Sequence, residues 1–266
     1  MLSSVEPWDL VAEGYSKVTM SLFQGYVGRA LQLAKLSREN RILDVACGPG
    51  TLALEAAGLV DSVDAIDFSE SMIRMLGKNI ENKKFSNIKA KCGDGQNLPY
   101  EHSLFDAAFS MFGLMFFPDR MKGYSEIYRT LKPGGRILVS SWAPVSQSPA
   151  LQVMFGVVRA MKSEMPEPQT DVESLENADF FKNELKNSGF RNIEIHLVTK
   201  EFPVVSIESF WRDMMKGSAP IVMMKNNMQP GEWKEKEKIA LQYLEKTLTS
   251  IPTSLSSDAW LGYGIK

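Results

Sequence analysis

The chain has few of the residues that announce metal sites, disulfides or acid–base catalysis. Its 266 residues include two cysteines and two histidines, and its net charge is −2 at pH 7. Cys47 and Cys92 are expected at buried strand ends with no ligand-type neighbours, which excludes a disulfide framework or zinc pattern and suits a reducing compartment. Neither His102, in a polar loop, nor His196 falls on a motif, so no general base and no metal site is evident. A near-neutral balance without a basic aromatic patch gives no sign of a nucleic-acid partner. No apolar run approaches a membrane span. The opening segment Met1-Leu-Ser-Ser-Val-Glu-Pro-Trp-Asp9 lacks the basic and apolar regions of a signal peptide. Internal repeats and low-complexity tracts are absent as well. The expectation is a cytoplasmic protein, monomer or homodimer.

What is present is an ordinary globular composition, 44% apolar and 23% charged. Residues 1–40 read as helical, with Leu22, Phe23, Tyr26, Val27, Ala30, Leu31 and Leu33 at helical spacing. Strands are then expected at 41–46, 62–67, 87–92, 105–111 and 136–142, alternating with helices at 50–60, 69–82 and 119–131. Ser69 is placed to cap the second of these, and Lys132-Pro-Gly-Gly135 to end the third in a tight turn. Repeated β–α alternation specifies a doubly wound, mainly parallel α/β sheet. Beyond Ala143 the pattern changes: helix over 146–165, a break at Pro166-Glu-Pro168, helix over 178–188, a strand over 191–198, helices over 206–250 and a last strand over 258–265.

The most informative stretch is Ile42-Leu-Asp-Val-Ala-Cys-Gly-Pro-Gly-Thr51, an apolar strand entering a glycine turn that opens the helix Leu52-Ala-Leu-Glu-Ala-Ala57. Gly48 and Gly50 permit close backbone approach to a ligand and free the first helical amides. Asp67 follows about 20 residues on, at a strand end, where a carboxylate grips the two hydroxyls of a ribose; a solvent-facing carboxylate is the alternative. Asp44 would sit beside the pyrophosphate of a dinucleotide, an unfavourable arrangement. It suits S-adenosylmethionine, which has no phosphate and carries an ammonium and a sulfonium. Phe68 and Met72 are candidates for one wall of an adenine slot, Met72 being equally suited to helix core.

The stretch resembles motif I of the class I S-adenosylmethionine-dependent methyltransferases, with Asp44, Ala46, Gly48 and Gly50 on cofactor-binding positions. Ser110-Met-Phe-Gly-Leu-Met-Phe-Phe-Pro-Asp119 and Glu126-Ile-Tyr-Arg-Thr-Leu-Lys-Pro-Gly-Gly-Arg136 resemble the ubiquinone/menaquinone-biosynthesis type of that family. The resemblance is close over residues 40–142 and looser beyond, where Phe210-Trp211 belongs to it. It implies a Rossmann-like seven-stranded sheet, mainly parallel, whose antiparallel last strand arrives after helical insertions. Residues 1–40 would then cover the cofactor site, 41–143 form the S-adenosylmethionine-binding core, and 144–266 supply lid helices and the last two strands.

Lys91-Cys-Gly-Asp-Gly-Gln96 resembles the family's adenine motif, which implies that Asp94 accepts from the adenine amino group while Gly95 donates its amide; a plain turn is the other reading. By the same carry-over Tyr15 closes over the methionine end of the cofactor, a helix packing against the sheet being the other reading, and Ser110 and Met111 touch the cofactor. Trp8, Phe112, Met115, Phe116, Phe210 and Trp211 are candidates for an acceptor pocket, although core packing uses the same residue types. Eight of the 15 methionines lie beyond residue 150, a pliable apolar surface or a helical core. Trp233-Lys-Glu-Lys-Glu-Lys-Ile239 reads as a solvated helix face.

Methyl transfer from a sulfonium needs alignment and exclusion of water more than acid–base chemistry. The expected activity is methylation of a small apolar or aromatic molecule, with the catalytic residues unassigned. The alternatives are a protein or RNA methyltransferase, a non-catalytic cofactor-binding module and an NAD-dependent oxidoreductase.

Overall fold

β1 (Arg41–Val45) is central because its residues are apolar on both sides: Ile42 packs into one layer of helices, Leu43 and Val45 into the other. The same period-2 alternation separates Phe109 from Ala108 on β4 (Phe105–Met111) and Leu138 from Ile137 on β5 (Leu131–Trp142). The computed structural model describes residues 2–162, 164–165 and 173–266; the expected break at Pro166-Glu-Pro168 lies outside them.

Seven strands form one sheet, with β2 (Ser62–Asp67), β3 (Ile88–Cys92), β6 (Arg191–Val204) and β7 (Thr253–Ile265) in the order β3-β2-β1-β4-β5-β7-β6. The first five strands are parallel, and β7 runs antiparallel between β5 and β6. Chain order reverses between β1 and β4, so their carboxyl ends flank the crevice where open α/β sheets take ligands. The Rossmann-like architecture is as expected.

One face is covered by α1 (Glu6–Ala34) through Tyr26, Val27, Ala30 and Ala34, together with α2 (Thr51–Ala56) and α3 (Glu70–Lys83). The other carries α4 (Arg120–Thr130) and α6 (Ala178–Asn187), which bury Tyr124, Ile127, Phe181 and Leu185. Ser69 caps α3 by accepting from the Met72 amide at 3.0 Å. α5 (Pro149–Met161), α7 (Ile207–Gly217), α8 (Ala219–Asn226) and α9 (Pro230–Thr247) gather around a separate apolar cluster that contains Val204.

Several boundaries differ from the sequence reading. β6 and β7 are longer than expected because they pair beyond the sheet proper, as far as Val204 opposite Thr253, carrying Val204 and Leu255 into the α5–α9 cluster. β5 starts at Leu131: Lys132–Gly135 bulges within the strand, Phe105 pairing with Leu131 and Ala107 with Arg136. Cys92 is exposed, contrary to expectation, because β3 is the sheet edge and buries only Ile88.

Candidate functional site

A cavity of about 1000 Å³, counting its open mouth, lies at the carboxyl ends of the first four parallel strands. Its enclosed part, about 270 Å³, is close to the lower end of the usual range for ligand clefts, about 300–1,000 Å³. Ala46 and Gly48 follow β1, Asp67 and Phe68 end β2, Gly93, Asp94 and Gly95 follow β3, and Met111, Phe112 and Gly113 end β4. α1 contributes Trp8 and Tyr15, and α3 contributes Met72. Nine of the residues expected at the cofactor, Tyr15, Ala46, Gly48, Asp67, Phe68, Met72, Asp94, Gly95 and Met111, therefore meet on its walls with three of those expected at the acceptor, Trp8, Phe112 and Phe116. Leu2, Ser3, Gln96, Phe117 and Pro118 line it without having been singled out.

The glycine turn is shaped as its sequence demands. Gly48 has φ +54°, and a Cβ there would meet nothing within 4 Å, so its missing side chain leaves room on the cavity side. Two non-glycine residues also adopt left-handed conformations directly after β1 and β4, Ala46 at φ 56° and Phe112 at φ 58°. Such residues persist where surroundings hold them, and these two line the cavity. Gly113 completes the rim, since a Cβ there would collide with the Ala46 side chain.

Asp67 is 6% exposed, and its two carboxylate oxygens accept from the Gly48 amide at 2.8 Å and the Ser69 amide at 2.9 Å. Burial outweighs these bonds and, with the negative charge of Asp9, pushes its pKa up to about 6. Asp44, 1% exposed, lies deeper. It lines a smaller hollow behind the glycine turn that shares Tyr15, Ala46, Gly48 and Met111 with the main cavity. One of its oxygens, Oδ2, has no hydrogen-bond partner among the described residues, and burial raises its pKa to about 8. Burial also holds the Tyr15 hydroxyl far above the ordinary tyrosine range.

Five expected site residues lie elsewhere. Gly50, at φ +96°, is the N-cap residue of α2 and packs against Leu76 of α3 rather than facing the cavity. Ser110 is fully buried and accepts from the Leu114 amide at 3.1 Å, which fixes the turn after β4. Met115 packs between the two sheet-face clusters, within reach of Ser141 Oγ at 3.7 Å. Phe210 and Trp211 belong to the α5–α9 cluster; Trp211 stacks on Trp233 with centroids 6.1 Å apart and donates to Glu237 at 2.9 Å. The amphipathic face that carries them packs on other helices, and no described residue beyond Pro118 lines the cavity. The N-terminal part of α1 lies over the cavity, with Trp8 donating from Nε1 to the Leu2 carbonyl at 2.8 Å.

The lining has an acidic, glycine-rich half and an aromatic half. Trp8 meets Phe116 at 5.2 Å, and Phe112 stacks on Phe23 at 4.8 Å. Among the described lining residues none is lysine or arginine, so nothing there neutralises a pyrophosphate, whereas a buried carboxylate with one unpartnered oxygen and an open glycine cradle suit a cationic, phosphate-free nucleoside. No group of three His, Cys, Asp or Glu among the described residues is arranged for a metal ion, and no helix among them is long and apolar enough to cross a membrane.

A family model described as a methyltransferase domain matches residues 42–135. A demethylmenaquinone methyltransferase of Staphylococcus haemolyticus (strain JCSC1435) is 33% identical over 174 residues, 60% of this chain and 72% of that one. A ubiquinone/menaquinone biosynthesis C-methyltransferase of Geotalea daltonii is 28% identical over 188 residues, 64% of this chain and 78% of the relative. With other demethylmenaquinone methyltransferases the match spans about half of their length, 49% and 45%. The crystal structure of a putative methyltransferase from Bacillus halodurans C-125 shares the fold, with a TM-score of 0.59 and 22% identity over 90% of this chain and 98% of that one. The chain belongs to the class I S-adenosylmethionine-dependent methyltransferases of the ubiquinone/menaquinone-biosynthesis type.

Proposed function

We propose that the chain methylates a small apolar or aromatic molecule held on the aromatic half of the cavity, with S-adenosylmethionine in the acidic half. The division of the lining into these two halves carries the reading. Asp67 would accept from the ribose hydroxyls, having lone pairs left beyond its Gly48 and Ser69 bonds. Asp94 and the Gly95 amide would take the adenine edge, with Phe68 and Met72 against its ring. The Gly48 turn, Asp44 and Tyr15 would hold the methionine end, where a cationic group meets a buried carboxylate. Trp8, Phe112 and Phe116 would face the acceptor.

Bound S-adenosylmethionine supplies a methyl group already activated by its sulfonium. The residues of this chain have to align the acceptor and exclude water, and the Trp8–Leu2 contact draws the N-terminal segment over the mouth for that purpose. Acid–base help is scarce: beyond Asp67 and Asp94 the lining offers only Tyr15, whose hydroxyl burial keeps protonated. The acceptor best suited to such a site is therefore nucleophilic in its own right, such as a phenolate or an electron-rich ring carbon. Incubation with radiolabelled S-adenosylmethionine and a panel of phenolic and hydroquinone acceptors tests the reading. Transfer of label to one of them is expected; label passing only to protein or RNA would overturn it.

A further inference from the structure

Asp9 stands outside the cavity, on the exposed side of α1, one residue from Trp8. Its Oδ1 accepts from Ser69 Oγ at 2.6 Å and from the Ser71 amide at 3.2 Å, so it reaches the first turn of α3, 60 residues away in sequence. Ser69 is the N-cap residue of that helix, and its own amide donates to Asp67 Oδ1. Asp67 Oδ2 in turn holds the Gly48 amide. One continuous set of hydrogen bonds thus runs from the covering helix α1, through the α3 cap and the Asp67 carboxylate, to the glycine turn. A carboxylate at a helix N-terminus is favourably placed against the helix dipole, and the position takes a negative charge at little cost.

We propose that Asp9 is a positioning residue for the cofactor: it latches α1 over the cavity and, through Ser69, fixes the Asp67 carboxylate. The inference rests on the reading that Asp67 binds the ribose of S-adenosylmethionine. A purely local surface role would leave the cofactor indifferent to Asp9. A latch makes closure of the cover and the set of the ribose acceptor one event, because both depend on the same two hydrogen bonds. Charge acts along the same line. Asp9 is one of the groups that raises the proton affinity of Asp67. The others facing that carboxyl are Tyr15 from α1, Asp44 from β1, Cys47 from the glycine turn, and Cys92 from the end of β3; Glu70 acts on Cys92, and Arg74 lies beside Asp9 on α3.

Asp9→Ala removes both charge and acceptor, whereas Asp9→Asn keeps an acceptor oxygen and removes only the charge. Calorimetric titration with S-adenosylhomocysteine across pH 5–8, alongside Asp67→Ala, separates the cases. Asp9→Ala is expected to weaken binding roughly tenfold, and Asp9→Asn to bind within roughly threefold of the parent at the alkaline end. The acid limb of binding, where Asp67 takes up its proton, should move to lower pH in Asp9→Asn. If Asp9→Ala binds like the parent at every pH, or loses only thermal stability, the latch is wrong. An unmoved acid limb in Asp9→Asn removes the coupling to Asp67. Parent-like binding by Asp67→Ala would instead bring down the cavity assignment on which the latch depends.

Discussion

Asp44 and Asp67 are buried carboxyls at neighbouring strand ends, and burial raises both above the ordinary 3.8, to about 8 and about 6. A raised carboxyl keeps in the native state a proton that the unfolded chain has already released. Stability of the free protein should therefore fall as pH rises from about 4 towards about 8, the interval between unfolded and folded values. Thermal melts across that interval check the slope, and Asp44→Asn, neutral throughout, should flatten it. A cationic ligand end beside Asp44 favours its ionised form, so S-adenosylmethionine binding at pH 7 should release protons. Titrations in two buffers of different ionisation heat would then give different enthalpies; identical enthalpies would separate Asp44 from the ligand. Asp67→Ala should cost about 1–3 kcal/mol of cofactor affinity by leaving ribose hydroxyls without a charged acceptor. Gly48→Val should block binding altogether, since a branched side chain at φ +54° is strained and would project into the cradle.

Elements in the first half of the chain follow from local pattern: β2 spans the expected residues, and Ser69 caps α3. Local rules act within a few residues, and these elements are governed by them. Caps away from the cavity should affect stability alone. Asn177 accepts from the Asp179 and Phe180 amides at the start of α6, so Asn177→Ala should cost about 1 kcal/mol in urea unfolding and leave cofactor affinity unchanged. The misplaced residues share another feature. Phe210 and Trp211 sit on an amphipathic helix, and such a face reads alike whether it meets a ligand or a helix. Exposure of Cys92 follows from strand order, which no local window contains. The Asp9 contact with Ser69 is equally silent in the sequence, because it joins residues of unremarkable type on two separate helices.

At the scale of the molecule, one sheet serves two apolar bodies. The crevice belongs to the strand ends and α1, while α5, α7, α8 and α9 form their own cluster at the far ends of β6 and β7. α8 joins the two by packing Ala219 beside Val11, Ala12 and Met72. Trp211→Ala should therefore destabilise the fold by about 3–5 kcal/mol, read from denaturant unfolding, while the folded fraction keeps its cofactor affinity. A parallel loss of affinity would place that cluster at the site. The acidic, glycine-rich crevice at the β1–β4 reversal is the centre of the whole arrangement, and calorimetric titration of the unmodified protein with S-adenosylmethionine, S-adenosylhomocysteine and NAD tests it most directly. Binding of the first two, one per chain, with no heat from NAD is the predicted result; binding of NAD, or of none of the three, would contradict it.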